Sequence, residues 1–295
     1  MIEASETAGT IGERIVVVED GGPTGRAAVR WVAERLGRHP ADVRVIGTLP
    51  RADDEAVIGG RWVDVDHASS VLRTVAPHAS LAAEVLVGDP VASLRSAAET
   101  ADLLVIGVAP GVEGRTVPLG TELAARASCV VVVVPVEWAP GGGVTVVGAS
   151  IDAASDAAIA FAAEHARSAS GILRLVHAWD LPATGELRLP EREEAGSIPD
   201  VQRRALEAFA AGVRRDGVEV SSSARQGSPA EVLREASGEA ELLVVGRRTR
   251  RPLTRLLLGS VSRALVDDPP CPVAVVPQPR LPLRVVAEGR ADAPL

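Results

Sequence analysis

A chain of 295 residues with 46% hydrophobic content can bury two cores. Its net charge of −8 excludes a general nucleic-acid binder, whose affinity would rest on a basic surface. All 31 basic residues are arginine, so a P-loop lysine and a Schiff-base lysine are both excluded.

Residues 1–12 are polar and read as a flexible arm, without the basic-then-apolar pattern of a secretion leader. A run of Ile and Val at 14–18 reads as a buried strand, ended by the turn cluster Glu19-Asp20-Gly21-Gly22-Pro23. Ala28, Trp31, Val32 and Leu36 recur at helical spacing and predict a helix over 26–36; a second strand follows at 43–46. Residues 50–66 read as a polar excursion, 68–75 as a short helix and 81–87 as a third strand. Asp89-Pro90 opens a helix through Ala98, the Asp as N-cap and the Pro at the first helical position. A strand carrying Gly107, a helix start at Gly120-Thr121 and an apolar strand from Cys129 to Pro135 complete this stretch.

Pro140 and the three glycines after it read as a linker, and the pattern then begins again. Strands are expected at 144–147 and 172–177, with a helix at 155–169 between them. A solvated excursion at 181–199 precedes a helix at 201–215, with Leu206, Phe209 and Val213 inward. Ser228-Pro229 opens a helix through Ala236, and a strand at 242–245 ends at Gly246. After an arginine-rich loop, Gly259-Ser260 opens a helix with Val261, Leu265 and Val266 on one face; a strand at 273–276 closes the unit. Residues 279–295 have little pattern and read as a disordered tail.

The two passes match by spacing. Gly107 and Gly120-Thr121 stand as far apart as Gly246 and Gly259-Ser260, and Gly88 precedes Gly107 by the interval from Gly227 to Gly246. After one short deletion the copies realign on Cys129/Cys271 and Pro135/Pro277. This is an internal duplication. It predicts two doubly wound α/β domains, 13–139 and 144–278, joined by a linker at 140–143. Each is expected to hold a five-stranded parallel sheet flanked by helices, with ligands beyond the carboxyl ends of the strands.

A glycine at a strand end admits a ligand close to the backbone, and a helix N-terminus offers free N–H groups to an anion. On these residues each half resembles a universal stress protein domain, and the whole resembles the tandem two-domain form. Nucleotide-binding members carry Gly, two residues, Gly, nine residues, then Gly-Ser or Gly-Thr. The second copy reads Gly246-Arg247-Arg248-Thr249, nine residues, Gly259-Ser260; the first reads Gly107-Val108-Ala109-Pro110, nine residues, Gly120-Thr121. Both replace the middle glycine.

The resemblance implies a cytoplasmic stress-response protein that binds ATP or a related adenine nucleotide weakly, through the second copy. There Gly246, Arg247, Arg248, Thr249, Gly259, Ser260 and Val261 would hold the phosphates. Ala178 would offer its backbone to the base, and Ser150 stands where the family places a ribose-binding Asp. The second, vestigial site would comprise Asp20, Thr48, Gly107, Gly120 and Thr121. Pro110 lacks an N–H and cannot donate there. Arg247, Arg248, Arg250, Arg251 and Arg255 would offset the missing glycine donor or form a solvated basic loop, and Asp20 equally fits a plain turn residue. The five histidines show no ligand-like spacing, so no metal is expected. No membrane contact is expected either, since no apolar run reaches the length of a span.

The resemblance also implies that the last strands pair the two halves into an intramolecular pseudo-dimer, with a further homodimer left open. Cys129 and Cys271 are expected to be buried, reduced thiols. Two rival readings stand beside nucleotide binding: a nucleotide-independent scaffold for a protein partner, and a slow ATP hydrolase.

Overall fold

Val- and Ile-rich runs alternating with amphipathic segments fold as ten strands and eight helices among the described residues. The computed structural model describes residues 12–38, 40–51, 54–109, 116–150, 155–179, 198–214, 217–247 and 258–278. The first half comprises β1 (Glu13–Val18), α1 (Pro23–Leu36), β2 (Ala41–Leu49), α2 (Glu55–Val75), β3 (Ser80–Val87), α3 (Pro90–Ala98), β4 (Leu103–Val108), α4 (Thr116–Arg126) and β5 (Val130–Pro135). The second comprises β6 (Val144–Gly148), α5 (Asp156–Ser168), β7 (Ile172–Trp179), α6 (Ile198–Arg214), β8 (Glu219–Gln226), α7 (Pro229–Ala236), β9 (Leu242–Gly246), α8 (Ser260–Asp267) and β10 (Val273–Val276).

All ten strands form one sheet, in the order β3-β2-β1-β4-β5-β10-β9-β6-β7-β8. Pairing is parallel within each half and antiparallel at the junction, where Val273, Ala274 and Val275 face Val133, Val132 and Val131. The last strands thus pair the halves, as the resemblance implied. An apolar strand left at a sheet edge would invite aggregation, and this pairing removes both such edges at once.

The register places the two copies in correspondence. Val17 pairs with Val105 in one half, Val147 with Val244 in the other, so Gly107 and Gly246 occupy equivalent positions. Each sheet face carries one core that runs through both halves. On one face α1, α2, α5 and α6 cover Val17, Val45, Leu175 and Val244; on the other α3, α4, α7 and α8 cover Leu104, Val131, Leu243 and Val273.

Three elements differ from the sequence reading. The stretch taken as a polar excursion is helical from Glu55, its first turn capped by the Asp54 carboxylate, which accepts the Ala56 N–H at 2.8 Å. Gly59 and Gly60 hide that helix in the sequence, and only its later turns bury Val65, Ala68 and Leu72. The third strand of the second copy, β8, had no assigned place, because an edge strand reading EVSSSARQ has almost no apolar signal. Helix α4 begins at Thr116, four residues before Gly120. The arm, the tail, Phe209's side chain and the 181–197 excursion lie outside the described residues.

A polar cluster joins the halves on the α1/α5 face. Arg35, 5% exposed, bonds Glu13 through two nitrogens at 2.6 and 2.8 Å and donates to His165 Nδ1 at 2.9 Å. His165 Nε2 faces Glu241 Oε1 at 3.5 Å, Glu241 also takes Arg38, and the His165 ring stacks on Trp31.

Cys129 and Cys271 are both buried and unpaired. Burial pushes their thiols up to about 11 and about 12 respectively. Folded protein at pH 8 is therefore expected to resist a thiol reagent, and both cysteines should react within the dead time once denaturant is added. Fast labelling without denaturant would contradict this burial.

Candidate functional site

Ligand-facing loops in such a sheet lie beyond the strand ends, where strand order reverses. Those points fall between β1 and β4 and between β6 and β9.

In the second half Gly259 is the N-cap of α8, with ordinary extended backbone at φ −61° and ψ 154°. The Arg263 N–H bonds the Gly259 carbonyl at 2.9 Å, so Ser260, Val261 and Ser262 form the first turn, whose N–H groups lack intrahelical partners. Ser262 donates its hydroxyl to the Gly246 carbonyl at 3.3 Å, tying the start of α8 to the end of β9. Among the described residues, nothing lies within 4 Å of a Cβ built on Gly259.

Beside it, Ser150 donates its N–H to Ser155 Oγ at 2.7 Å, and His177 Nδ1 sits 2.8 Å from the Ala149 carbonyl. That ring bridges the ends of β6 and β7, next to Ala178. Arg247 turns towards the first half. Its guanidinium crosses to the first half and donates to the carbonyls of Ala127 at 2.7 Å and Ala124 at 3.4 Å, at the carboxyl end of α4. Arg248, Thr249, Arg250, Arg251 and Arg255 lie outside the described residues.

The first half is built otherwise. Gly120 lies inside α4, where its N–H belongs to the helix ladder, and it is buried against Val108, Val133 and Val266. The expected helix start there is therefore corrected. Thr121 donates its hydroxyl across the junction to Asp267 Oδ1 at 2.5 Å. Asp20 is a helix-capping residue: its carboxylate accepts the N–H groups of Gly22 at 2.9 Å and Gly25 at 2.8 Å, and the Thr24 hydroxyl. Gly107 is demanded by packing, since a Cβ there would lie 2.5 Å from the Thr24 carbonyl carbon.

Arg61 fills the space above β2. Its Cγ and Cδ lie 2.6 Å from where a Gly47 Cβ would be, and its guanidinium reaches Gly21 and Asp64. Thr48, the candidate base-facing position, is next in the strand. Glu19, Asp20 and Asp64 surround this end of β1; burial, with help from the two neighbouring acids, raises the Glu19 pKa. Three carboxylates are a poor setting for polyphosphate. Neither Arg61, Asp267 nor His177 was singled out in the sequence, because each acts through a contact distant along the chain.

A family model for the universal stress protein family matches residues 145–277. A universal stress protein of Thermus aquaticus is 36% identical over 124 residues, which cover 40% of this chain and 87% of that protein. The chain belongs to the universal stress protein family. A universal stress protein of Mycobacterium tuberculosis is 33% identical over 137 residues, 44% of this chain and 46% of that one, so the match spans about half the relative's length. A crystal structure of a universal stress protein from Archaeoglobus fulgidus superposes with a TM-score of 0.64 at 16% identity, covering 90% of this chain and 97% of that one. At that identity the likeness concerns the fold, and it extends over both halves. Among the described residues, no group of three or more His, Cys, Asp or Glu side chains is arranged to hold a metal ion, and no helix is long and apolar enough to cross a membrane.

Proposed function

We propose that this universal stress protein binds one adenine nucleotide per chain, ATP or a close relative, in its second half. The observation that carries the reading is the asymmetry of the two glycine-hydroxyl pairs. Gly259-Ser260 starts α8 with no described residue within 4 Å of a Cβ on Gly259, whereas Gly120 is buried inside α4 and the Thr121 hydroxyl is bonded to Asp267. Polyphosphate would lie on the first turn of α8, where N–H groups without intrahelical partners and the helix dipole favour negative charge. The base would lie towards Ala178 and the ribose towards Ser150, which lacks the family's acid and makes the site weak. A cytoplasmic role in a stress response belongs to this reading as well.

Gly259→Asp tests it. The carboxylate would stand where the phosphates bind, and ATP affinity should fall at least about tenfold, as expected for one lost charge-assisted contact plus repulsion. Thermal stability should hold, because no described residue crowds the position, its φ suits any residue, and Asp is a good N-cap. Unchanged ATP binding by this variant would remove α8 from the site. A wild-type protein that binds no nucleotide at millimolar concentration would favour the scaffold reading instead.

A further inference from the structure

We infer that the first half acts as a positioning template for the nucleotide site of the second, through Arg247 and Thr121. The inference rests on the site proposed above, and it reassigns two residues that the motif alone would make phosphate ligands. Arg247 follows directly on Gly246, so it sets the direction in which the chain leaves β9. Its backbone N–H is fixed on Val276 at 2.7 Å, and its guanidinium on the Ala124 and Ala127 carbonyls of the other half. A cation at a helix carboxyl end meets both unpaired carbonyls and the negative end of the dipole. The contact therefore holds for electrostatic as well as geometric reasons.

Thr121 does the reciprocal task at the far end of α8, where its hydroxyl holds Asp267. Arg234 adds a clamp from α7, donating to the Ala264 and Asp268 carbonyls at 3.2 and 3.1 Å. Helix α8 is thus fastened at its start through Ser262 and Gly246, and at its end to a residue of α4. An anion site made of backbone N–H groups depends on the helix being held at the right angle and depth. The half without an open helix start supplies part of that hold.

The test combines amide exchange of nucleotide-free protein with ATP titration, for wild type, Arg247→Ala and Thr121→Val. Thr121→Val keeps side-chain shape and lies in the half proposed to bind nothing. Both variants should speed exchange of the α8 amides by about fivefold and weaken ATP by a similar factor, the size of one lost hydrogen bond. Exchange in β1 and β2 should not change, which separates a local effect from general destabilisation. Unaltered α8 exchange in either variant overturns the inference. So does an ATP loss confined to Arg247→Ala, which would make Arg247 a direct phosphate ligand. Should wild type bind no ATP, the functional reading falls, and the exchange rates alone decide for or against the template.

Discussion

Gly107→Ala is expected to cost about 3 kcal/mol or more of stability, while Gly120→Ala should be close to neutral. The two glycines occupy matching places in the family motif, yet they answer to different forces. At Gly107 the added methyl would meet the Thr24 backbone, 2.5 Å from its carbonyl carbon and 2.9 Å from its Cα. Backbone cannot rotate away as a side chain can, so α1 would have to lift from β4 and open the core that both share. At Gly120 the nearest atoms are side-chain methyls of Val108, Val133 and Val266, at 3.5 to 3.8 Å, an ordinary contact. A helix also prefers Ala to Gly by up to about 1 kcal/mol, which offsets slight crowding. Denaturant melts of the two variants would show the difference directly. Equal losses would mean that α4 does not begin before Gly120. Gly120→Asp is a poor control for binding, because it would bury a carboxylate among valines.

Arg35→Ala should cost about 3 kcal/mol and loosen one half from the other. The substitution strips a buried cation from Glu13 and His165 and removes the guanidinium that lies over the Trp31 and Phe161 rings. Arg35→Met, which refills the volume without a charge, should recover part of the loss. The same cluster makes the fold sensitive to acid. Because Arg35 donates to Nδ1, the His165 proton sits on Nε2 towards Glu241, and a second proton must displace the Arg35 hydrogen bond. Burial is the main cause that lowers the His165 pKa; Arg35 and Arg38 act in the same direction and Glu241 against it. A depressed histidine leaves stability intact above its unfolded value of about 6.5. As pH falls below that, the unfolded chain gains a proton that the folded one refuses, and stability declines until the buried ring protonates. His165→Gln should flatten that decline. A variant with the wild-type slope would place the acid sensitivity elsewhere.

Much of this was legible along the chain. Equal spacings around Gly107 and Gly246 revealed the duplication, and apolar runs located the interior strands, since strands buried on both faces cannot hide their composition. The start of α8 was also readable, at Gly259-Ser260. What stayed hidden depends on contacts between distant residues. Nothing near Arg247 says that it reaches Ala127, and nothing near Gly47 says that Arg61 lies over it. The corresponding motif at Gly120-Thr121 misled for a related reason: the Thr116-Val117-Pro118 segment starts the helix early and draws the glycine inside. The local bonds of Asp20 to Gly22, Thr24 and Gly25 match the turn cluster that the sequence shows there.

The stoichiometry of ATP binding tests the central claim most directly. Wild-type protein titrated by calorimetry at millimolar nucleotide should give one site per chain, lost in Gly259→Asp and kept in Gly120→Ala. Two sites per chain, or one that survives Gly259→Asp, would contradict the assignment to the second half.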